Sequence, residues 1–121
     1  MNDFEFDVGF YDAPNGTKPA KEFILKLEPK MRAKMLRLVN MLAINGNKLS
    51  RPYSGHLGDG IFELRATVGS NTTRVLYFFF VKKHIILTHG FFKKTDEVPP
   101  DEIDKAKKYR DEFLNRKENK K

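Results

Sequence analysis

Polar and apolar residues alternate strictly at the start of the chain. Phe4, Phe6, Val8 and Phe10 fall on one side, and Glu5, Asp7 and Gly9 on the other. That period of two predicts a half-buried strand. Asp12-Ala13-Pro14-Asn15-Gly16 is a turn cluster. The period then lengthens. A helix is expected from near Thr17, with Pro19 in its first turn and Phe23, Ile24 and Leu27 on its inner face. Pro29 breaks it. A second helix is expected over 30–45, where Met31, Met35, Leu38 and Leu42 form one stripe and Arg32 and Arg37 lie off it. The short joint between them suggests an antiparallel helical hairpin. Asn45-Gly46-Asn47 supplies a left-handed cap.

Residues 46–60 read as a mobile loop carrying Gly55, Gly58 and Gly60. Three strands in a meander are expected next. In 61–68, Phe62, Leu64, Ala66 and Val68 point inward, and Glu63, Arg65 and Thr67 point to the other face. Gly69-Ser70-Asn71 turns the chain. The stretch 73–81 is apolar on both faces apart from Arg74 and the Tyr77 hydroxyl, the pattern of a central strand covered on both sides. Lys82-Lys83 makes a tight turn into a strand over 84–93. Pro99-Pro100 introduces a last helix over 101–116, with Asp101 and Glu102 at its positive end and Ile103, Ala106, Tyr109 or Arg110, and Phe113 as its packing stripe. The tail from Arg116 to Lys121 is expected to fray. The order is β-α-α-β-β-β-α, an α+β sandwich with an antiparallel-rich sheet, in one domain spanning 1–121.

Charge sharpens the picture. The formal net charge is +7, and it is segregated: 1–16 and 96–104 contain acids and no Lys or Arg, while the meander from Ile61 to Lys94 has Glu63 as its one carboxylate against six Lys or Arg. A basic, carboxylate-poor frame suits a polyanion, RNA above all, and suits a metal badly. There is no cysteine, which removes thiolate ligands and thiol nucleophiles. Three scattered His without HExxH spacing do not make a metal site. No cofactor is implied. The N-terminus lacks the pattern of a signal peptide, and no apolar run approaches the roughly 20 residues of a membrane span, so a cytoplasmic protein is expected.

Arg74 opens an otherwise apolar strand. It either pairs with Glu63 across the hairpin or aims a guanidinium at a phosphate. Arg65 shares a face with Glu63, which could orient one arginine and leave the other free. Lys93 and Lys94 end their strand as a phosphate clamp or a proton-transfer pair, or as an ordinary solvated end. His89, in an apolar strand, is either a packing residue or an acid–base. His56 in the glycine loop could swing toward a ligand, and His84 is expected to be merely exposed. Tyr77, Phe91 and Phe92 are core by default. One of Phe91 and Phe92 must face away from the other, so one could stack on a base. Lys82 and Lys83 add to the candidate RNA-binding set with His56, Tyr77 and Phe91.

Three segments carry a resemblance: Gly60-Ile61-Phe62-Glu63-Leu64-Arg65, Arg74-Val75-Leu76-Tyr77-Phe78, and Leu87-Thr88-His89-Gly90-Phe91-Phe92-Lys93-Lys94-Thr95. They continue into Val98-Pro99 and Glu102-Ile103-Asp104-Lys105-Ala106. The sequence resembles the RelE/ParE toxin superfamily, in its HigB branch related to phage-derived proteins. The resemblance implies a type II toxin that cleaves mRNA on the translating ribosome without metal. It also implies a helix-turn-helix, HigA-like antitoxin, with a toxin–antitoxin heterotetramer as one assembly. The implied reaction is attack of a ribose 2′-hydroxyl on the adjacent phosphate, leaving a 2′,3′-cyclic phosphate. By position, Arg65 and Arg74 would stabilise the phosphorane, Lys93 or Lys94 would stabilise charge or give a proton, and His89 would be an acid or base. Glu63 stands where some relatives place a basic residue, so the general base is open. The alternative is a non-catalytic, ParE-like toxin that grips a protein target such as gyrase. A plain RNA-binding module is a third option.

Overall fold

The computed structural model describes residues 5–118, so Phe4 of the first expected strand and residues 119–121 of the expected tail lie outside it. The elements are β1 (Asp7–Phe10), α1 (Pro19–Leu25), α2 (Pro29–Asn45), a short 3-10 turn (Gly46–Lys48), β2 (Ser54–Gly58), β3 (Ile61–Val68), β4 (Asn71–Phe80), β5 (His84–Phe92) and α3 (Pro100–Glu118). They form one five-stranded sheet in the order β1-β5-β4-β3-β2. All pairs are antiparallel except β1 with β5. The fold class is α+β and compatible with a RelE-like fold.

Both helix starts follow from proline, which occupies the first turn of α1 and of α2, where its missing N–H leaves no bond unmade. The Glu22 carboxylate accepts the Lys18 backbone N–H at 3.0 Å and ties the chain to the first turn of α1. Met31, Met35, Leu38 and Leu42 are buried along α2 as their spacing predicts. Gly46 ends α2 with φ +52°, and a Cβ there would lie 2.0 Å from the Phe6 ring. The cap therefore needs glycine for both conformation and space.

α1 packs over β5 and α2 over β3, on one face of the sheet. Beneath them Leu64, Ala66, Val75, Tyr77, Ile85 and Leu87 form the larger core. A second core lies on the opposite face, where Ile61, Leu76, Phe78 and Ile86 meet Tyr11 and Ala106 of α3. β4 is the middle strand and is buried on both sides, as its unbroken apolar run requires.

Two expectations are corrected. Residues 46–60 are not a mobile loop: they contain β2, an edge strand paired with β3. Ser54-Gly55-His56-Leu57-Gly58 has too little apolar alternation to be recognised. Gly55 lies opposite Glu63, and a Cβ there would approach Glu63 Oε2 to 3.3 Å, so a glycine leaves room for the carboxylate. The second correction concerns the last helix, which runs through Glu118 and so past its expected end at Arg116. Arg116 donates to the Asp12 carbonyl at 2.6 Å and to Glu112 Oε1 at 2.8 Å, and so ties the last turn to the loop after β1.

Candidate functional site

The register of the meander decides which candidates meet. Arg65 on β3 stands directly opposite Arg74 on β4, and Arg74 stands opposite Phe91 on β5. Opposed residues of an antiparallel pair share a face, here the face that α3 covers farther along. Glu63, two residues from Arg65, joins them. Its Oε2 accepts from Arg65 Nη2 at 2.8 Å, and its Oε1 lies 3.2 Å from Arg74 Nε. The latter is an ion contact whose geometry falls short of a hydrogen bond, since both atoms are without hydrogen-bond partners.

One carboxylate therefore serves two guanidinium groups, and one positive charge is left over. Arg74 is 1% exposed and Glu63 3%, while the Arg65 side chain is 30% exposed. Arg74 Nη2 donates to the Asp96 carbonyl at 2.7 Å, which anchors the segment between β5 and α3. Arg74 Nη1 and Nε, Arg65 Nε and Glu63 Oε1 are buried without hydrogen-bond partners. Buried polar groups are overwhelmingly bonded, and these three guanidinium nitrogens and one carboxylate oxygen are exceptions gathered at one place. Of the two readings open for Arg74, pairing with Glu63 is the one observed. Its guanidinium does not face solvent and acts from beneath, by holding Glu63 and the Asp96 backbone.

The lysines extend the site outward. The Lys93 N–H donates to the Thr72 carbonyl at 2.8 Å, so the segment after β5 still follows β4. Lys93 Nζ lies 3.3 Å from Asp96 Oδ1, but that carboxylate is fully exposed, and such a pair is worth little. Lys94 is exposed and makes no ion pair among the described residues.

His89 is placed elsewhere. It is 4% exposed, under the first turn of α3, with Nε2 2.9 Å from Glu102 Oε1 and Nδ1 3.1 Å from Thr88 Oγ1. Burial pushes its pKa down, and Glu102 opposes that shift. It packs against Tyr109 and Phe91 and is nearly enclosed, the surroundings of the packing residue that is one of its two readings. A bulge explains the placement. Leu76 pairs with His89 and Tyr77 with Leu87, so Thr88 is the extra residue, and its hydroxyl donates to the Leu76 carbonyl at 3.2 Å. Leu87 and His89 consequently face opposite sides of the sheet.

The RNA-binding candidates scatter. Tyr77 is buried under α1 and α2, on the face away from the arginines, and burial pushes its hydroxyl up to about 12. His56 is exposed but on that same helical side, its ring 4.6 Å from Phe62. Lys82 and Lys83 occupy the β4–β5 turn, at the end of β4 far from Arg74, and Lys83 pairs with Glu5 at 2.8 Å. His84 is exposed, as expected, with Nδ1 3.3 Å from Asp7 Oδ2. Phe91 is half-buried within the α3 core. Phe92 is the ring that faces out, at 54% exposure. The alternation of the Phe pair signalled that one must do so, but only the register with Arg74 shows which. Glu102 and the Asp96 carbonyl carried no signal, because their contacts depend on where α3 crosses β5. Among the described residues no three His, Cys, Asp or Glu cluster as a metal site would require, and no helix is long and apolar enough to cross a membrane.

Fold and site together define an α+β domain with a guanidinium pair locked into its sheet and lysines at the rim. The chain belongs to the phage-derived protein Gp49-like family, whose model matches residues 22–111. That family is associated with RelE/HigB-like toxins, and membership is consistent with the toxin of a toxin–antitoxin pair that has an antitoxin as partner. No curated protein matches the chain.

Proposed function

We propose that this protein is a HigB-like toxin that cuts mRNA on the translating ribosome without metal, in the cytoplasm, and is neutralised by a helix-turn-helix, HigA-like antitoxin. The observation that carries the reading is the shared carboxylate: Arg65 on β3 and Arg74 on β4 converge on Glu63, with Lys93 and Lys94 just past the end of the neighbouring β5. A ribose 2′-hydroxyl attacks the neighbouring phosphorus, the P–O5′ bond breaks, and the products are a 2′,3′-cyclic phosphate and a free 5′-hydroxyl. Such a step needs alignment and charge stabilisation more than a protein nucleophile. Arg65 contacts the phosphate, and Lys93 or Lys94 neutralises the phosphorane or protonates the leaving oxygen. Acid–base help of that kind contributes about 100- to 10,000-fold. Arg74 is a positioning residue that holds Glu63, and through it Arg65, on a rigid strand.

The test is to mix the purified protein with translating ribosomes in the presence of a chelator and map the cuts and their ends. Cleavage leaving cyclic phosphates, lost in Arg65→Ala, is expected. Growth arrest in cells without any RNA cut would overturn the nuclease reading and favour a protein target.

A further inference from the structure

Phe92 is an exposed ring beside the basic end of the sheet. Its edge contact with Phe23 of α1, with centroids 5.5 Å apart and planes at 67°, fixes its orientation from below. Two clefts adjoin it. One, of about 220 Å3, is lined by Leu27, Glu28, Lys30, Met31 and Val68. The other, of about 250 Å3, is lined by Ser70, Thr72, Lys93, Lys94, Thr95 and the exposed Asp96 that pairs with Lys93. Phe92 and Asn71 belong to both. Asn71 is exposed, and its side-chain amide makes no hydrogen bond among the described residues. Two recesses of mixed polarity, with one rigid ring shared between them, therefore sit where the lysines emerge.

We propose that Phe92 is a stacking platform for one unpaired nucleobase of single-stranded RNA, with Asn71 at the base edge and Lys93 and Lys94 on the adjoining phosphate. The inference rests on the RNA-cleaving reading above and names the part of the substrate that this end of the sheet holds. Three features favour a nucleotide over a protein partner. Each cleft is smaller than the roughly 300 Å3 at which drug-sized pockets begin, so it admits one ring system and not a helix or strand. Aromatic faces accept every base, and the flanking ammonium groups match the phosphate that accompanies each one. Lys93 and Lys94, at the rim of the sheet end that carries the arginines, also line the second cleft, although Phe92 itself lies on the α1 face, opposite the arginines.

The experiment measures binding of a fluorescent single-stranded oligoribonucleotide, and of the same oligonucleotide with abasic positions, to the parent, Phe92→Ala, Phe92→Tyr and Tyr53→Ala proteins. Tyr53, also exposed, is the control ring, because its carbonyl accepts the Arg65 N–H at 2.9 Å on the β2 side. Phe92→Ala should weaken binding of the intact strand about 5- to 150-fold, the span of base–aromatic stacking. Phe92→Tyr should bind as the parent does, and the abasic strand should not distinguish the variants. Equal loss for intact and abasic strands, or a loss with Tyr53→Ala in place of Phe92→Ala, overturns the proposal. So does a Phe92→Ala protein that binds RNA normally but escapes its antitoxin, which would make this face a protein contact. Cleavage by the parent separates the two readings. A parent that cuts RNA with no dependence on Phe92 refutes the stacking site alone, whereas Phe92-dependent binding without any cut refutes the nuclease reading alone.

Discussion

Replacing Glu63 by glutamine removes the negative charge held between two guanidinium groups while keeping the size of the side chain. Deleting one partner of a buried ion pair costs about 3–5 kcal/mol. Arg74 merits the full cost because it is 1% exposed, but Arg65 keeps much of its hydration, so the expectation is about 3 kcal/mol. Against a total stability of about 5–15 kcal/mol that is a large share. In a domain of this length it corresponds to a fall of roughly 10–15 °C in Tm. Arg74→Met behaves differently. It removes the buried excess charge, fills similar volume, leaves Glu63 paired with Arg65, and gives up the bond to the Asp96 carbonyl. Its cost should be about 1–2 kcal/mol. Urea unfolding followed by circular dichroism, with an unchanged m-value, measures both variants and the double mutant. The double mutant should lose less than the two single losses combined, because no unpaired buried guanidinium remains at position 74. A Glu63→Gln protein within about 0.5 kcal/mol of the parent, or one more stable than Arg74→Met, would refute the claim that a shared carboxylate holds the arginine pair.

Gly90→Ala should destabilise by about 1–3 kcal/mol, since a Cβ there would meet Phe23 Cδ2 at 2.3 Å, and thermal melts will show whether that ring can yield. Burial lowers the pKa of His89, so the unfolded chain binds the extra proton first. The stabilisation from the neutral ring is complete above the unfolded value of about 6.5 and is lost as pH falls through the lower folded value. Urea midpoints across pH 4 to 8 should show this acid-side slope in the parent and a flatter one in His89→Gln. Arg65→Ala, which takes from the buried Glu63 the hydrogen bond at its Oε2, should cost about 1–3 kcal/mol in unfolding experiments yet abolish RNA cleavage on ribosomes. Loss of folding in step with loss of cleavage would remove it from the site.

The parts of the molecule that follow a simple period were legible in the chain. The Met31–Leu42 stripe, the doubly buried β4 and the inward set on β3 all follow from spacing alone. What escaped was decided by interruption or by distant packing. β2 hides because Gly55 and Gly58 erase its alternation, and Gly55 is present for the sake of Glu63. The bulge at Thr88 breaks parity, so no count along β5 could place Leu87 and His89 on opposite faces. The burial of Arg74 depends on the Asp96 backbone, which no local pattern foretells. The convergence of Arg65 and Arg74 was readable from the hairpin between them. Phe92 as the outward ring was not, because that needed the register of β5 against β4.

The pairing of β1 with β5 has a consequence for synthesis. Of the five strands, the one made earliest lies beside the one made latest, Asp7 against His84. A nascent chain therefore cannot close this sheet until β5 has emerged, and contacts of such long reach form late. The clasp on Arg74 waits longer still, for Asp96. Truncated products thus lack both the finished sheet and the backbone anchor of the arginine site, so the complete apparatus exists only in chains whose translation has run past that point.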